Sequence, residues 1–386
     1  MQTVALLVDS WRLLTSRRLF WLTLAINLVV VALYGSISLT DTGVSLFYGF
    51  LPIESERFRA GSLLARTVLL PFINVQIISF WLAWAATGLG LISTASIFPD
   101  FLADGAIDMV LAKPLSRLKA FAVKYVGALL FVTLQVTVFC VASLLIGRLR
   151  LGEWQWMLLA AIPVVVVFFS YIYAISALVG VATRSSIAAI LAAAVFWFAM
   201  FLIQTAEVGL LNFSTFAQAQ VDARASLIAK GEEELADLAA QGLGREDNGY
   251  ERARGKLEAN RQTYEKELAT AGATRAWHNG LYVATMIIPK TSGTIGLVDR
   301  WFAKDVGVSS LSELLMFEGG PGRHRGGPRF DVENGDDMPA DLRGKSETES
   351  RAIVAERPVW WVIGTSLLFE LGVLVIAAWI FVRRDF

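Results

Sequence analysis

Residues that usually carry enzymatic chemistry are scarce in this chain and do not form a recognisable catalytic or metal-binding set. Its two histidines, His278 and His324, lie far apart with no cysteine or acidic cluster beside them, which does not favour a metal site. The lone Cys140 lies in an apolar run and predicts a buried, inert thiol. No G-x-x-x-x-G-K-[ST] phosphate-binding loop occurs. We therefore expect no enzyme activity, cofactor or metal in this chain itself.

The most unusual ionisable residue is Glu370, which lies near the middle of the apolar run Val359–Val382. An acidic or basic residue at the centre of a membrane span costs roughly 2.5–3.5 kcal/mol on insertion scales, so it should face other helices, a wet cavity or a partner group. Glu370, with Asn74 and Gln76 in another apolar run, is a candidate for a transport path or gate. The alternative for all three is a structural hydrogen bond between helices.

A second group of polar residues lies in residues 97–127, IFPDFLADGAIDMVLAKPLSRLKAFAVKYVG. Aromatic and aliphatic residues alternate there with aspartates, as expected for an amphipathic helix at a membrane surface over about 97–113. Lys113–Pro114 should end this helix, because proline cannot continue it. Such a helix can transmit force from a soluble partner to the spanning helices. The alternative is an ordinary basic loop that serves only to set the membrane topology.

The run GAIDMVLAKPLSR, from Gly105 to Arg117, and the KYVG that begins at Lys124 resemble the segment after the second span of ABC-2-type permeases. More narrowly, they are similar to the branch that includes the permease of the nitrous-oxide-reductase maturation system and gliding-associated transporters. ALVGVATRSSIAA at 177–189 and MIIPKTSGTIG at 286–296 resemble further parts of that family. One departure is Ala106, where threonine is common in the family; another is the position of the acidic residue, here Asp104.

This resemblance implies a coupling helix that docks on a separate ATPase subunit, and ATP and Mg²⁺ would be bound by that subunit. It also implies a pair of ATPase subunits and a second permease chain, either a second copy or a paralogue. The residues expected to form the coupling element are Phe101, Asp104, Gly105, Ile107, Asp108, Leu111, Lys113, Pro114 and Arg117.

Membrane helices must position these residues, because the chain is 55% hydrophobic and only 18% charged, with a mean hydropathy of +0.56. Soluble proteins carry about 25% charged residues. Crossing about 30 Å of hydrocarbon takes roughly 20 apolar residues. Six runs meet or approach that length: Leu19–Leu39, Phe72–Thr94, Phe121–Gly147, Met157–Ala182, Ile187–Leu210 and Val359–Val382.

The lysines and arginines of the short loops predict cytoplasmic N- and C-termini. In that orientation ten lie on the cytoplasmic side: Arg12, Arg17, Arg18, Lys113, Arg117, Lys119, Lys124, Arg184, Arg383 and Arg384. Five lie on the other side: Arg57, Arg59, Arg66, Arg148 and Arg150. The expected location is the cytoplasmic (inner) membrane of the cell.

Residues 211–357 hold 42 of the 68 charged residues and predict a large, mostly helical extracytoplasmic insert between spans five and six. Within it we expect a helical hairpin over about 218–271, an interfacial segment over 277–317 and a flexible loop over 318–350. The apolar part of the interfacial segment, up to Gly296, is expected at the membrane interface or packed against the bundle. Residues 1–210 would hold the first five spans, and residues 358–386 the sixth span and the C-terminus.

Together these patterns predict an all-α polytopic membrane protein that acts as the permease subunit of an ABC-2-type exporter. The alternative is a non-transporting ABC-type transducer or anchor whose external hairpin acts on an extracytoplasmic protein. An intramembrane enzyme is disfavoured, because no span pairs histidine, aspartate or serine at catalytic spacing. A net charge of zero gives no indication of a nucleic-acid partner. The sequence does not specify the substrate.

Overall fold

The computed structural model describes residues 15, 18–55, 58–62, 65, 69, 73, 77–102, 116–152, 154–243, 247–306, 339 and 341–383, with the backbone alone at 77–79, 299 and 302–306. In chain order the helices are α1 (Arg18–Gly35), a π-helical segment (Ile77–Ala86), α2 (Thr87–Thr94), α3 (Ile97–Phe101), α4 (Arg117–Leu151), α5 (Met157–Thr183), α6 (Ser186–Ala240), α7 (Asn248–Thr285), α8 (Thr291–Val306), α9 (Leu342–Glu356) and α10 (Val359–Arg383). The strands are β1 (Ser38–Thr40), β2 (Gly43–Leu46) and β3 (Leu51–Glu54).

Six helices among the described residues are long and apolar enough to cross a membrane: Arg18–Gly35, Phe80–Phe101, Arg117–Leu151, Met157–Thr183, Ser186–Ala240 and Val359–Arg383. The predicted number of candidate spans is confirmed, and each predicted run overlaps one of these helices. The architecture is that of a helical, multi-pass membrane protein.

The predicted first span, Leu19–Leu39, extends too far. The chain leaves the helix at Gly35, and Leu39 pairs with Val44 in an antiparallel sheet of order β1-β2-β3. Gly43, where the chain turns from β1 into β2, has φ +152, which favours glycine. A Cβ there would also lie 2.2 Å from the carbonyl oxygen of Ile53 on β3, so no larger residue fits. An all-helical prediction missed this sheet because strands of three or four residues leave little periodicity to detect.

The chain divides into two compact units. The first, the membrane bundle, comprises the described residues up to Phe201, those from Ile288 to Val306 and those from Val359 onwards. Helix α5 packs against α4, α8 and α10, and its Phe169, Ile172 and Ala174 are completely buried. A helix that is apolar all round is suited to such a central place.

Helix α8 belongs to the bundle, which is one of the two placements expected for the segment that contains it. It follows Pro289 and packs against α5 and α10. Leu297 and Val298 on α8 are almost fully buried.

The second unit, the hairpin unit, comprises Leu202–Ile287 and the described residues from 339 to Pro358. Helices α6 and α7 run antiparallel, since Arg224 pairs with Glu267 and Glu232 with Arg261. The first arm is not a separate helix beginning near 218. It continues the helix of the fifth span, because residues 211–240 contain no proline to stop it.

Part of the predicted flexible loop, 318–350, is helical. Residues 318–338 lie outside the described residues, but α9 begins at Leu342. Ion pairs one turn apart, such as Arg343–Glu347, support its exposed side. Ser350 donates a hydrogen bond to the side chain of Asn212 on α6, which attaches α9 within the hairpin unit.

Two ion pairs of the hairpin unit provide a matched test of its stability. The Arg224 side chain is 4% exposed and bonds Glu267 and Asn260, whereas the Arg261 side chain is 53% exposed and bonds Glu232. Arg224→Ala should destabilise the hairpin by about 1.5–3 kcal/mol, because it removes charge-assisted hydrogen bonds from a buried guanidinium to the partly buried Glu267 carboxylate. Arg261→Ala should cost under about 1 kcal/mol. Hydrogen exchange of α6 and α7 measures both changes, and equal effects would contradict this assignment.

Candidate functional site

Glu370 lies in the middle of α10 and is 6% exposed. The hydroxyl of Tyr125 on α4 donates to one carboxyl oxygen at 2.7 Å, and the hydroxyl of Ser170 on α5 donates to the other at 2.7 Å. A single side chain thereby joins three candidate membrane helices. We call Glu370, Tyr125 and Ser170 the acid cluster.

Each hydroxyl of the acid cluster has a second acceptor on the α5 backbone. Tyr125 also lies 3.1 Å from the carbonyl oxygen of Ser170, and the Ser170 hydroxyl lies 2.8 Å from that of Val167. Among the described residues, no lysine, arginine or histidine forms an ion pair with Glu370. The carboxyl group is therefore held by hydroxyl groups alone.

The acid cluster continues as a polar face along α5. Tyr173 is fully buried and stacks on Tyr125 with ring centroids 5.3 Å apart. The hydroxyls of Tyr173 and Ser176 have no hydrogen-bond partner among the described residues. Buried hydroxyls are normally paired, so this face has spare capacity to bind polar atoms. Residues 170, 173 and 176 recur every three positions and lie along one side of the helix.

A polar contact on the preceding turn of α10 adjoins Glu370. Ser366 accepts a hydrogen bond from the backbone N–H of Lys290 at 2.9 Å. The Lys290 ammonium donates to Thr365 at 2.6 Å and lies 4.2 Å from the centroid of the Trp361 ring. This contact attaches the start of α8 to α10, within the same bundle.

Two of the predicted coupling residues are described, and both contact the end of α10. Phe101 is buried in the bundle, where its ring stacks on Phe381 with centroids 6.0 Å apart and the Lys124 ammonium lies 5.2 Å from its centroid. Arg117 donates a hydrogen bond to the backbone carbonyl of Val382 at 3.0 Å. Phe101 thus anchors this segment to the bundle rather than presenting its ring on a surface.

The remaining predicted site residues lie outside the described residues. These are Asn74, Gln76, Asp104, Gly105, Ile107, Asp108, Leu111, Lys113 and Pro114. Of the candidates for a transport path or gate, the structure therefore places Glu370 only.

Tyr125, Ser170 and Tyr173 were not predicted to belong to a site. A signal was present, because polar residues at helical spacing on α5 interrupt a strongly apolar run. Nothing in that spacing, however, shows which of the other spans such a face contacts.

The hairpin unit contains a second buried acid that the sequence analysis did not single out. Glu207 is 2% exposed and accepts two hydrogen bonds from the guanidinium of Arg357. His278 Nε2 lies 3.2 Å from one of its oxygens. This acid has a guanidinium partner, in contrast to Glu370 among the described residues.

Two substitutions of Glu370 distinguish the stability that its hydrogen bonds provide from any requirement for the carboxyl group itself. Glu370→Ala removes two hydrogen bonds and leaves a cavity, and should lower the free energy of unfolding by about 2–4 kcal/mol. Glu370→Gln keeps the shape and one acceptor oxygen for Tyr125, and its NH2 group can donate to the Ser170 hydroxyl, so it should cost under about 1.5 kcal/mol. Thermal unfolding in detergent measures both changes. An equal loss in the two variants would show that the carboxyl group itself is required.

No protein-family model, curated protein or solved structure matches this chain. The role of the acid cluster and of the segment that follows α3 must therefore be inferred from their own residues.

Proposed function

We propose that this chain is the membrane-spanning permease subunit of an ABC-2-type exporter in the cytoplasmic membrane, with both termini in the cytoplasm. A separate ATPase dimer drives it, and it works with a second permease chain to move an unidentified substrate. The support comes from the resemblance of residues 105–127, the basic residues of the short loops and the six candidate spans.

The observation that carries this proposal is the attachment of residues 97–117 to the bundle at both ends. On one side, Phe101 packs on Phe381 of α10. On the other side, Arg117 at the start of α4 bonds the backbone of Val382 on α10. A force applied between these attachments would act on α4 and α10 together, as a coupling segment requires.

The same two helices carry Tyr125 and Glu370 of the acid cluster. Phe121 on α4 packs on Phe98 and on Phe381, with ring centroids 5.0 and 5.8 Å apart. Tyr125, one helical turn further along α4, bonds Glu370. Since a helical turn rises about 5.4 Å, a displacement of this aromatic junction reaches the acid cluster through a single rigid turn. In this mechanism, closure of the ATPase dimer changes the packing of α4 against α10 and opens or closes the path between the permease chains.

A second candidate function is a transducer that acts on an extracytoplasmic protein. It is favoured by one observation: Trp277 and Val283 near the end of α7, and Ile287 just after it, are exposed, and Trp277 is 74% exposed. Deletion of residues 218–272 separates the two functions. A transducer loses its extracytoplasmic partner and keeps the ATPase, whereas an exporter that does not need the hairpin continues to transport.

The exporter proposal predicts that an ATPase subunit co-purifies with the tagged chain. Gly105→Glu combined with Ile107→Glu places two charges on the predicted docking helix and should reduce the recovered ATPase to under about a tenth of wild type. That loss corresponds to roughly 1.4 kcal/mol or more of binding free energy. The measurement is ATPase activity and subunit content in the eluate of the detergent-solubilised chain.

A matched control is Gly255→Glu with Ala259→Glu, which adds the same charges at exposed positions of α7. It should leave the recovered ATPase at the level of wild type. If neither the wild-type chain nor the control recovers an ATPase while both remain folded, the permease assignment is contradicted.

A further inference from the structure

We propose that Glu370 is a proton-binding site: it is an uncharged carboxylic acid when α4, α5 and α10 are packed together, and it releases its proton to water when they separate. This inference does not depend on an ATPase partner and stands or falls separately from the exporter proposal.

Glu207 and Glu370 are the two deeply buried acids among the described residues. Glu207, in the hairpin unit, has the guanidinium of Arg357 and the ring of His278 as partners, and that arrangement suits a carboxylate. Glu370 has two hydroxyl partners and no cationic one among the described residues. A buried acid with no positive partner usually binds a proton rather than carrying its charge.

The acid cluster has more close oxygen–oxygen contacts than its two hydroxyl groups have hydrogens to fill. The cluster contains four close oxygen–oxygen contacts: Tyr125 with Glu370 and with the Ser170 carbonyl, and Ser170 with Glu370 and with the Val167 carbonyl. The two hydroxyls supply one hydrogen each, so a carboxylate leaves half of these contacts without a hydrogen.

A neutral acid supplies a third hydrogen to these contacts. In the neutral acid the bond between Ser170 and Glu370 reverses: the carboxyl O–H donates to the Ser170 hydroxyl, which in turn donates to the Val167 carbonyl. Tyr125 donates to the other carboxyl oxygen, at 2.7 Å the shorter of its two contacts. Three of the four contacts are satisfied in this arrangement, which favours the acid over the carboxylate.

Among the described residues, no charged side chain contacts Glu370. The titratable groups beside it are the phenols of Tyr125 on α4 and of Tyr171 and Tyr173 on α5. The Lys124 ammonium on α4 lies over the Phe101 ring, and that of Lys290, just before α8, bonds Thr365 and lies over Trp361.

The proton links the charge of Glu370 to the packing of three helices. Release produces a carboxylate and a hydrated proton, and the carboxylate requires water or additional donors that the closed cluster lacks. The neutral acid therefore stabilises the packed arrangement, and separation of α10 from α4 and α5 favours release. Any cycle that opens this contact would bind and release a proton at Glu370.

Infrared spectroscopy of the purified chain at neutral pH tests this site directly. The wild-type protein should show the carbonyl stretch of a protonated carboxylic acid, and Glu370→Gln should abolish that band. Glu207→Gln is the matched control, because it removes a buried acid that is paired with the guanidinium of Arg357, and it should leave the band unchanged. Absence of the band in the wild type, or its persistence in Glu370→Gln, would overturn the proposal.

Tyr125→Phe keeps the test decisive if Glu370→Gln does not fold. This variant retains the acid but removes the hydroxyl that donates to it at 2.7 Å. The band of a protonated Glu370 should shift in frequency, since a carbonyl that loses a hydrogen bond vibrates at higher frequency. A protonated-acid band that does not move in Tyr125→Phe belongs to another residue and would also overturn the assignment.

Discussion

The constraint on which this structure depends is that a membrane interior offers no water to a buried acid. Glu370 must find its hydrogen-bond partners on other helices, and it finds them on α4 and α5. The partners lie 245 and 200 positions away in the sequence, so this one group brings together distant parts of the chain. Apolar contacts between membrane helices have little directional preference, because lipid tails are as apolar as leucine. The polar contact therefore defines which faces of these helices meet.

The rest of the membrane bundle follows from that contact. The polar face of α5 and the Lys290 contact both extend from the acid cluster, along α5 and along α10. The aromatic junction of Phe98, Phe101, Phe121 and Phe381 packs the same helices near the end of α10. In our account, an ATPase acts on the segment after α3, and these aromatic contacts connect that segment to the helices of the acid cluster. The protonation of Glu370 then depends on how those helices pack.

Composition and hydropathy were sufficient to predict the number of candidate spans and the approximate bounds of most of them. Each run has about the 20 consecutive apolar residues that a membrane span needs, and helices of soluble proteins rarely contain such a run. They also singled out Glu370, since an acid in a long apolar run stands out without any knowledge of its partners. Its partners could not be predicted, because Tyr125 and Ser170 are unremarkable in composition and become a site only through the contacts of three helices. The continuity of α6, the short sheet and the place of α8 in the bundle likewise depend on contacts that local patterns do not specify.

The central claim is that a separate ATPase acts on this chain through the segment between α3 and α4. The most direct measurement is photo-crosslinking in intact cells from a benzoylphenylalanine placed at Ile107, with the same probe at Trp277 as the comparison. The account predicts that the probe at 107 captures an ATPase subunit, that this capture changes when ATP is depleted, and that the probe at 277 does not capture it. Capture of lipid or unrelated proteins alone from position 107, in cells that contain the folded chain, would contradict the claim.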